Sequence, residues 1–277
     1  IDEATVHEGV PATVARLLNE HGALHALSPP AHTPVYVALR HHGAIVAGDW
    51  FEGENAQEAV IRGIGQLTNR AGASAADIDT IELCLPHSER RLSLVDGART
   101  LGNTHRGTLG LRLRHGSIET RICPTDMLAR NISFGEVETK FRMEARLDPA
   151  RYARETQAWS FSAHQFLIRL GESPSLVPMF RGNTIVRMDE VSGDNVRQLA
   201  DRLGHWLRTQ VQPDGRMIYM YLPSEQRESQ DNNMIRQFMA TVCLVRMLRE
   251  RPDDTELREL ARRNLRYNLE RFFVQEG

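Results

Sequence analysis

Val35-Tyr36-Val37-Ala38-Leu39, His41-His42-Gly43 and Ala44-Ile45-Val46-Ala47 read in order as a strand, a turn and a return strand. Branched and aromatic residues suit a pleated, half-buried surface, and a glycine in the turn lets the chain reverse tightly. Working outward, Val6 to Leu27 carries apolar residues at helical spacing and stops at Ser28-Pro29-Pro30. Asn55 to Arg70 is amphipathic, with Ala59, Val60, Ile64 and Leu67 on one face of a helix. Ile78 to Leu85 alternates as a strand, and a second hairpin joins Leu109–Leu113 to Ser117–Ile122 around His115-Gly116. The pattern predicts a mostly antiparallel α+β domain over residues 1–175.

Gly171 to Pro178 is rich in Gly, Ser and Pro and marks a boundary, with a linker or short strand over 176–193. The patterning then changes period. Helices are expected over Asp194–Val211, Asp231–Arg249 and Asp254–Phe273, each with an Asp near its cap. The first should bury Val196, Leu199, Leu203, Trp206 and Leu207. An all-α segment over 194–277 follows from this.

Composition narrows the function. The chain has 277 residues, enough for two domains, and its 41% hydrophobic and 25% charged content is ordinary for a globular protein. A net charge of −2 gives no general attraction to nucleic acid or anionic membrane. Lys140 is the only lysine, an arginine bias that a GC-rich coding genome explains. Nothing approaches the ~18 consecutive apolar residues of a membrane span. Cys84, Cys123 and Cys243 are far apart in apolar surroundings, so buried free thiols and a reducing, cytoplasmic compartment are expected. The chain opens at Ile1 with no charged-then-apolar leader, as a trimmed or mature form would.

Two resemblances extend this reading. Pro34–Leu39 with His42-Gly43, Phe51-Glu52-Gly53, Asp79-Thr80-Ile81-Glu82-Leu83, His105–Leu111, Pro124 and Trp159-Ser160-Phe161 together resemble the AMMECR domain. That family's hairpin normally carries Arg-Gly-Cys-Ile-Gly, where this chain has Val46-Ala47-Gly48-Asp49-Trp50 and no cysteine. The resemblance therefore implies fold more than activity. The last ~85 residues are similar to the opening helices of an (α/α) toroid, an architecture shared by many carbohydrate-active enzymes. That similarity rests on Trp206-Leu207, Gln212-Pro213-Asp214-Gly215, Tyr219/Tyr221 and Asn232–Arg236 leading to Ala240-Thr241.

The toroid resemblance implies a protein of polysaccharide or glycoconjugate metabolism, its glycan at the helical segment and the first domain as scaffold or accessory. The alternative is a non-catalytic binding or assembly module. Glycan chemistry usually uses two carboxylates, and the candidates are Asp214, Glu225, Glu228 and Asp231. A turn for Asp214, a helix cap for Asp231 and a polar loop for Glu225 and Glu228 are their ordinary readings. The substrate-binding candidates are Tyr219, Tyr221, Asp231, Asn232, Asn233 and Arg236. Arg216 to Pro223 reads as a strand that puts both tyrosines on one face, and the helix mouth behind it suits polar or anionic groups. Arg236 offers a planar fork for a carboxylate, or else pairs internally with Asp231 or Glu228. Asn232 and Asn233 either bind hydroxyls or hydrogen-bond within the fold.

The expected partner is thus a glycan or small anionic ligand, with no cofactor and no metal. His41 and His42 should point apart in their turn, with no acidic residue completing a cluster. Nucleophile-elbow, P-loop and dinucleotide motifs are absent from the sequence.

Overall fold

The computed structural model describes residues 3–20, 32–72, 77–94, 101–222 and 225–273. Their contacts divide the chain into two units, Ile1–Ile185 and, apart from Pro223–Glu225, Val186–Gly277.

In the first unit the opening hairpin is β1 (Val35–His41) and β2 (Ala44–Phe51), antiparallel throughout. The left-handed φ of His42 (47°) and Gly43 (85°) closes it, the combination a two-residue hairpin turn requires. β1 is covered on both faces, which explains its unbroken apolar run. Val35, Val37 and Leu39 join one core cluster with α1 (Glu3–Glu20) and α2 (Ala56–Ala71). Tyr36 and Ala38 point the other way, into a smaller cluster with Cys84, Cys123 and Phe161. α2 starts at Asn55, whose side chain accepts from the Glu58 N–H at 2.9 Å, a cap worth about 1 kcal/mol.

β3 (Thr80–Leu92) and β6 (Gln157–Arg169) pair antiparallel along their lengths. Between them in sequence come β4 (Leu109–His115), β5 (Ile118–Ile122) and three helices, α3 (Pro124–Ala129), α4 (Phe134–Glu144) and α5 (Pro149–Glu155). The strand order is β2-β1-β3-β6-β4-β5 among the described residues. β7 (Ser175–Phe180) and β8 (Asn183–Thr184) extend the sheet from the C-terminal half of β6. α4 and α5 seal a second core through Phe134, Val137, Phe141 and Tyr152 packed with Leu111, Leu113 and Ala158. α4 begins with a reciprocal cap: the Ser133 hydroxyl accepts from the Glu136 N–H at 3.2 Å, and the Glu136 carboxylate accepts from the Ser133 N–H at 2.6 Å.

The second unit holds α6 (Gly193–Thr209), α7 (Met234–Glu250) and α8 (Thr255–Phe272), with a two-stranded ribbon of β9 (Tyr221–Leu222) and β10 (Arg227–Glu228). A small core of Val211, Met217, Ala240, Leu244, Leu257, Leu260 and Ala261 joins them.

The α+β class followed by helices is as the patterning predicts, but several details differ. Helix α1 is described as far as Glu20, and the rest of the helix expected to Leu27, with its break at Ser28-Pro29-Pro30, lies outside the described residues. Residues 175–180 form β7 rather than loop, because β6 offers them an open edge. In the rest of the linker or short strand expected over 176–193, only Asn183–Thr184 pairs, and Met188–Glu190 is a 3-10 turn. The helix caps are Ser192, Asn233 and Asp254, so Asp serves in only one of the three. Cys84 and Cys123 are buried as expected, whereas Cys243 is exposed. The largest correction concerns α6, where Val196, Leu199, Leu203 and Trp206 are 51–56% exposed. α6 meets the helical core only near its end, through Leu207 and Gly204 beside Met247, so the rest of its apolar stripe is uncovered. No helix among the described residues is long and apolar enough to cross a membrane.

Candidate functional site

The predicted residues at the mouth of α7 sit at the surface, and most of their polar groups are engaged locally. Asn233 is the N-cap: its carbonyl oxygen accepts from the Arg236 N–H at 3.2 Å. Asn232 donates to the Tyr267 hydroxyl at 2.8 Å and accepts from Gln237 Nε2 and the Asn233 N–H, both at 2.9 Å. Asp231 accepts from the Ser229 hydroxyl at 2.7 Å, a side-chain turn rather than a helix cap.

The strand expected over 216–223 is a single bridge at Met217 to Val211 plus the two-residue β9. Its backbone finds another partner. The Gln237 carboxamide accepts from the Met217 N–H at 3.0 Å and donates to the Met217 carbonyl at 2.7 Å, as a neighbouring strand would. Tyr221 belongs to the ribbon, opposite Glu228, and is exposed.

Tyr219 and Arg236 do come together, the guanidinium carbon 5.2 Å from the ring centroid. Such an exposed pair contributes roughly 0.5–1 kcal/mol. Neither internal carboxylate holds Arg236. Glu228 lies 3.8 Å from Arg216, and Asp231 is turned to Ser229. Of the candidate carboxylates, Asp214 accepts from the Arg216 N–H at 2.9 Å, as a turn former does. Behind this surface Thr241 donates to Asn264 at 2.6 Å, Asn264 donates to the Gly215 carbonyl at 2.8 Å, and Asn268 donates to Thr241 at 2.8 Å. Gly215 is required there, since a Cβ would stand 2.4 Å from the Arg263 carbonyl oxygen.

The helical unit has a cavity of about 450 Å³ lined by Asp201, His205, Arg208, Arg251, Asp254 and Glu256. Its charges are already matched, Arg251 to Asp201 at 2.6 Å and Arg208 to Asp254.

The α+β unit has a cleft of about 420 Å³ that sequence reasoning missed, lined by Glu52, His87, Ser88, Glu89, Arg112, Arg121 and Phe161 among others. Arg112 and Arg121 are direct partners across β4 and β5. Like charges so placed repel, and two carboxylates balance them. Glu119 lies 3.2 Å from Arg112 and 2.6 Å from Arg121, while Glu89 lies 3.1 Å from Arg112. Burial pushes the Glu119 carboxyl up, but the two guanidiniums outweigh it and hold the group below its ordinary range. Arg112 also lies over Trp159 at 4.5 Å. Ser88, at a left-handed φ of 52° beside the irregularity in β3, is 2.9 Å from His87 Nδ1. His87 stacks on His164 at 4.4 Å, and burial first, then the neighbouring imidazole, lowers the His164 pKa. The two arginines are equidistant from the Gly116-Ser117 turn, one residue beyond the turn read from the sequence.

Beneath the sheet Glu82 accepts from Arg40 Nε at 2.9 Å and from the Thr125 hydroxyl, and the Tyr36 hydroxyl donates to Asp126 at 3.4 Å. Burial pushes the Cys123 thiol well up, and adjacent Cys84 adds to this, so it is held as an unreactive thiol. At the far end of β1 the two turn histidines do not point apart. Their ring centroids are 4.0 Å from each other, with Asp79 beside them.

No protein-family model and no curated protein matches the chain. Among solved structures it is similar to the crystal structure of uncharacterized protein PH0010 from Pyrococcus horikoshii. The identity is 15% and the TM-score 0.44, over 54% of this chain and 80% of that one. So weak a likeness supports neither a fold family nor a function.

Proposed function

We propose that this is a glycan-binding protein of polysaccharide or glycoconjugate metabolism, holding an acidic sugar at the mouth of α7. The observation that carries the reading is Arg236, exposed, stacked on Tyr219, and with no carboxylate within 4.0 Å among the described residues. A guanidinium fixed by an aromatic ring presents parallel N–H donors that match a uronate carboxylate. Asn232, Asn233 and Tyr221 are exposed as well, and the sugar ring would lie along them. The helical unit is read as the opening of an (α/α) toroid, and the first unit as an AMMECR-like scaffold. Gly48, the middle of the stretch that replaces the family's cysteine motif, supports a scaffold role. A Cβ there would stand 2.7 Å from the Tyr36 hydroxyl oxygen, so the space of a thiol is filled.

Calorimetric titration with uronate oligosaccharides tests the proposal. Arg236→Ala should weaken binding at least about ten-fold, the worth of one charge-assisted contact, with the melting temperature lowered by no more than about 4 °C. Equal binding by the variant, or no binding by the parent protein, overturns it.

A second reading, a non-catalytic assembly module, is favoured by the uncovered apolar stripe Val196, Leu199, Leu203 and Trp206. Stripes of that kind are ordinarily covered by a partner surface.

A further inference from the structure

We propose that His41, His42 and Asp79 form a binding site for a divalent late transition-metal ion at the tip of the first hairpin. One donor atom from each of the three lies within 4.8 Å of the others. Nδ1 of His42 is 3.1 Å from Asp79 Oδ2. Around a tetrahedral ion with bonds of about 2.1 Å, ligand atoms stand ~3.4 Å apart. The ring and carboxylate are therefore near the spacing that an ion imposes, and rotamer adjustments of the order of an ångström complete it.

The fold supports each ligand. Asp79 is fixed on both sides, its N–H donating to the Arg40 carbonyl at 3.1 Å and its own carbonyl accepting from the Leu170 N–H at 2.8 Å. Its second oxygen, Oδ1, accepts from the Thr80 hydroxyl at 3.1 Å, which sets the carboxylate plane. Nδ1 of His41 lies 2.5 Å from the Asp77 carbonyl oxygen. A ring N–H given to a backbone carbonyl is the usual support behind a metal-bound imidazole, because it fixes the tautomer and the ring direction.

His42 occupies a left-handed turn position where Asn is the ordinary choice. It is held there by its N–H donating to Asp79 Oδ2 at 2.7 Å. An imidazole is tolerated at some conformational cost in a place that brings it beside another imidazole and a carboxylate. Two imidazoles and one carboxylate suit zinc, nickel or copper, and not magnesium or calcium, which want oxygen ligands.

The rival reading is that Asp79 merely pins the turn. His42→Asn separates the two, since Asn-Gly restores the preferred turn pair and keeps the backbone conformation while removing the ligand. Chelator-treated full-length protein would be titrated calorimetrically with Zn²⁺, in parallel with His42→Asn and Asp79→Asn, and each melted with and without Zn²⁺. The site predicts one saturable equivalent in the parent protein that weakens at least ten-fold in both variants. It also predicts a Zn²⁺-dependent rise in melting temperature confined to the parent. Identical isotherms in all three proteins, or no Zn²⁺ isotherm in the parent, overturn the proposal.

Discussion

Glu82→Ala gives the sharpest test of how the α+β unit is held together. Glu82 is 2% and Arg40 8% exposed. The carboxylate accepts from two guanidinium nitrogens of Arg40 and from Thr125. Without it the one hydrogen-bond acceptor left to Arg40 among the described residues is the Gly43 carbonyl, 2.8 Å away. A buried charge stripped of its counterion costs about 3–5 kcal/mol. For a unit of this size, at ~2–4 °C per kcal/mol, that lowers the melting temperature by roughly 6–20 °C. Urea unfolding of the full chain reads it through tryptophan emission, because Trp50 and Trp159 both lie in this unit. The double change Glu82→Leu with Arg40→Met should recover most of the loss, since an apolar pair of similar volume needs no charge compensation. A single-variant cost under about 1 kcal/mol, or a double variant weaker than the single, would refute the argument.

Asp126 yields a pH prediction. Burial first, against the opposing pull of Arg130, raises its pKa in the folded state. A raised pKa means that its contribution is fully present below the unfolded value and is lost as pH rises through the folded one. Asp126→Asn, which still accepts from Tyr36, should therefore melt higher than the parent at pH 7 and lose that advantage towards pH 3. An advantage that grows on acidification would contradict the assignment. Gly48→Ala places its methyl 2.7 Å from the Tyr36 hydroxyl oxygen and should cost about 1–3 kcal/mol by overpacking. Repeating the change in a Tyr36→Phe background should recover at least half of that in urea titrations, and no recovery would show the clash to lie elsewhere.

The first hairpin was legible because Val35–Leu39 is apolar on both faces and His42-Gly43 supplies the turn. β6 was not, although it is the middle of the sheet. Its sequence carries Ser160, Ser162, His164 and Gln165, which look solvated until the fold places Gln165 against the Gly107 carbonyl at 3.3 Å. α6 misled in the opposite sense, since helical periodicity reports that a face is apolar and not that this chain covers it. At the candidate site, residue type pointed to the α7 mouth but did not rank its members. Asn232 and Asn233 have short amides that local N–H groups capture first, whereas Arg236 is long enough to leave its own helix start. The His41–His42–Asp79 group could not be read because it depends on Arg40 pairing with Asp79, a contact between residues 40 and 79. The Arg112–Arg121 pair escaped register counting too, because a turn read at His115-Gly116 pairs Arg112 with Glu119, whereas the register centres on Gly116-Ser117.

The place of β6 in the sheet also governs how the chain is made. The described strands upstream of Gln157 form two separate groups, β1-β2-β3 on one side and β4-β5 on the other, and β6 is the strand that stitches them together. Ribosomes add ~5–20 residues per second, so the interval from Leu92 to Gln157 lasts roughly 3–13 s. For that time the inner edge of β3 has no partner strand, and an open edge is a template for another chain. Nascent protein is therefore most exposed to self-association late in synthesis, and a fragment cut before Gln157 carries that open edge permanently.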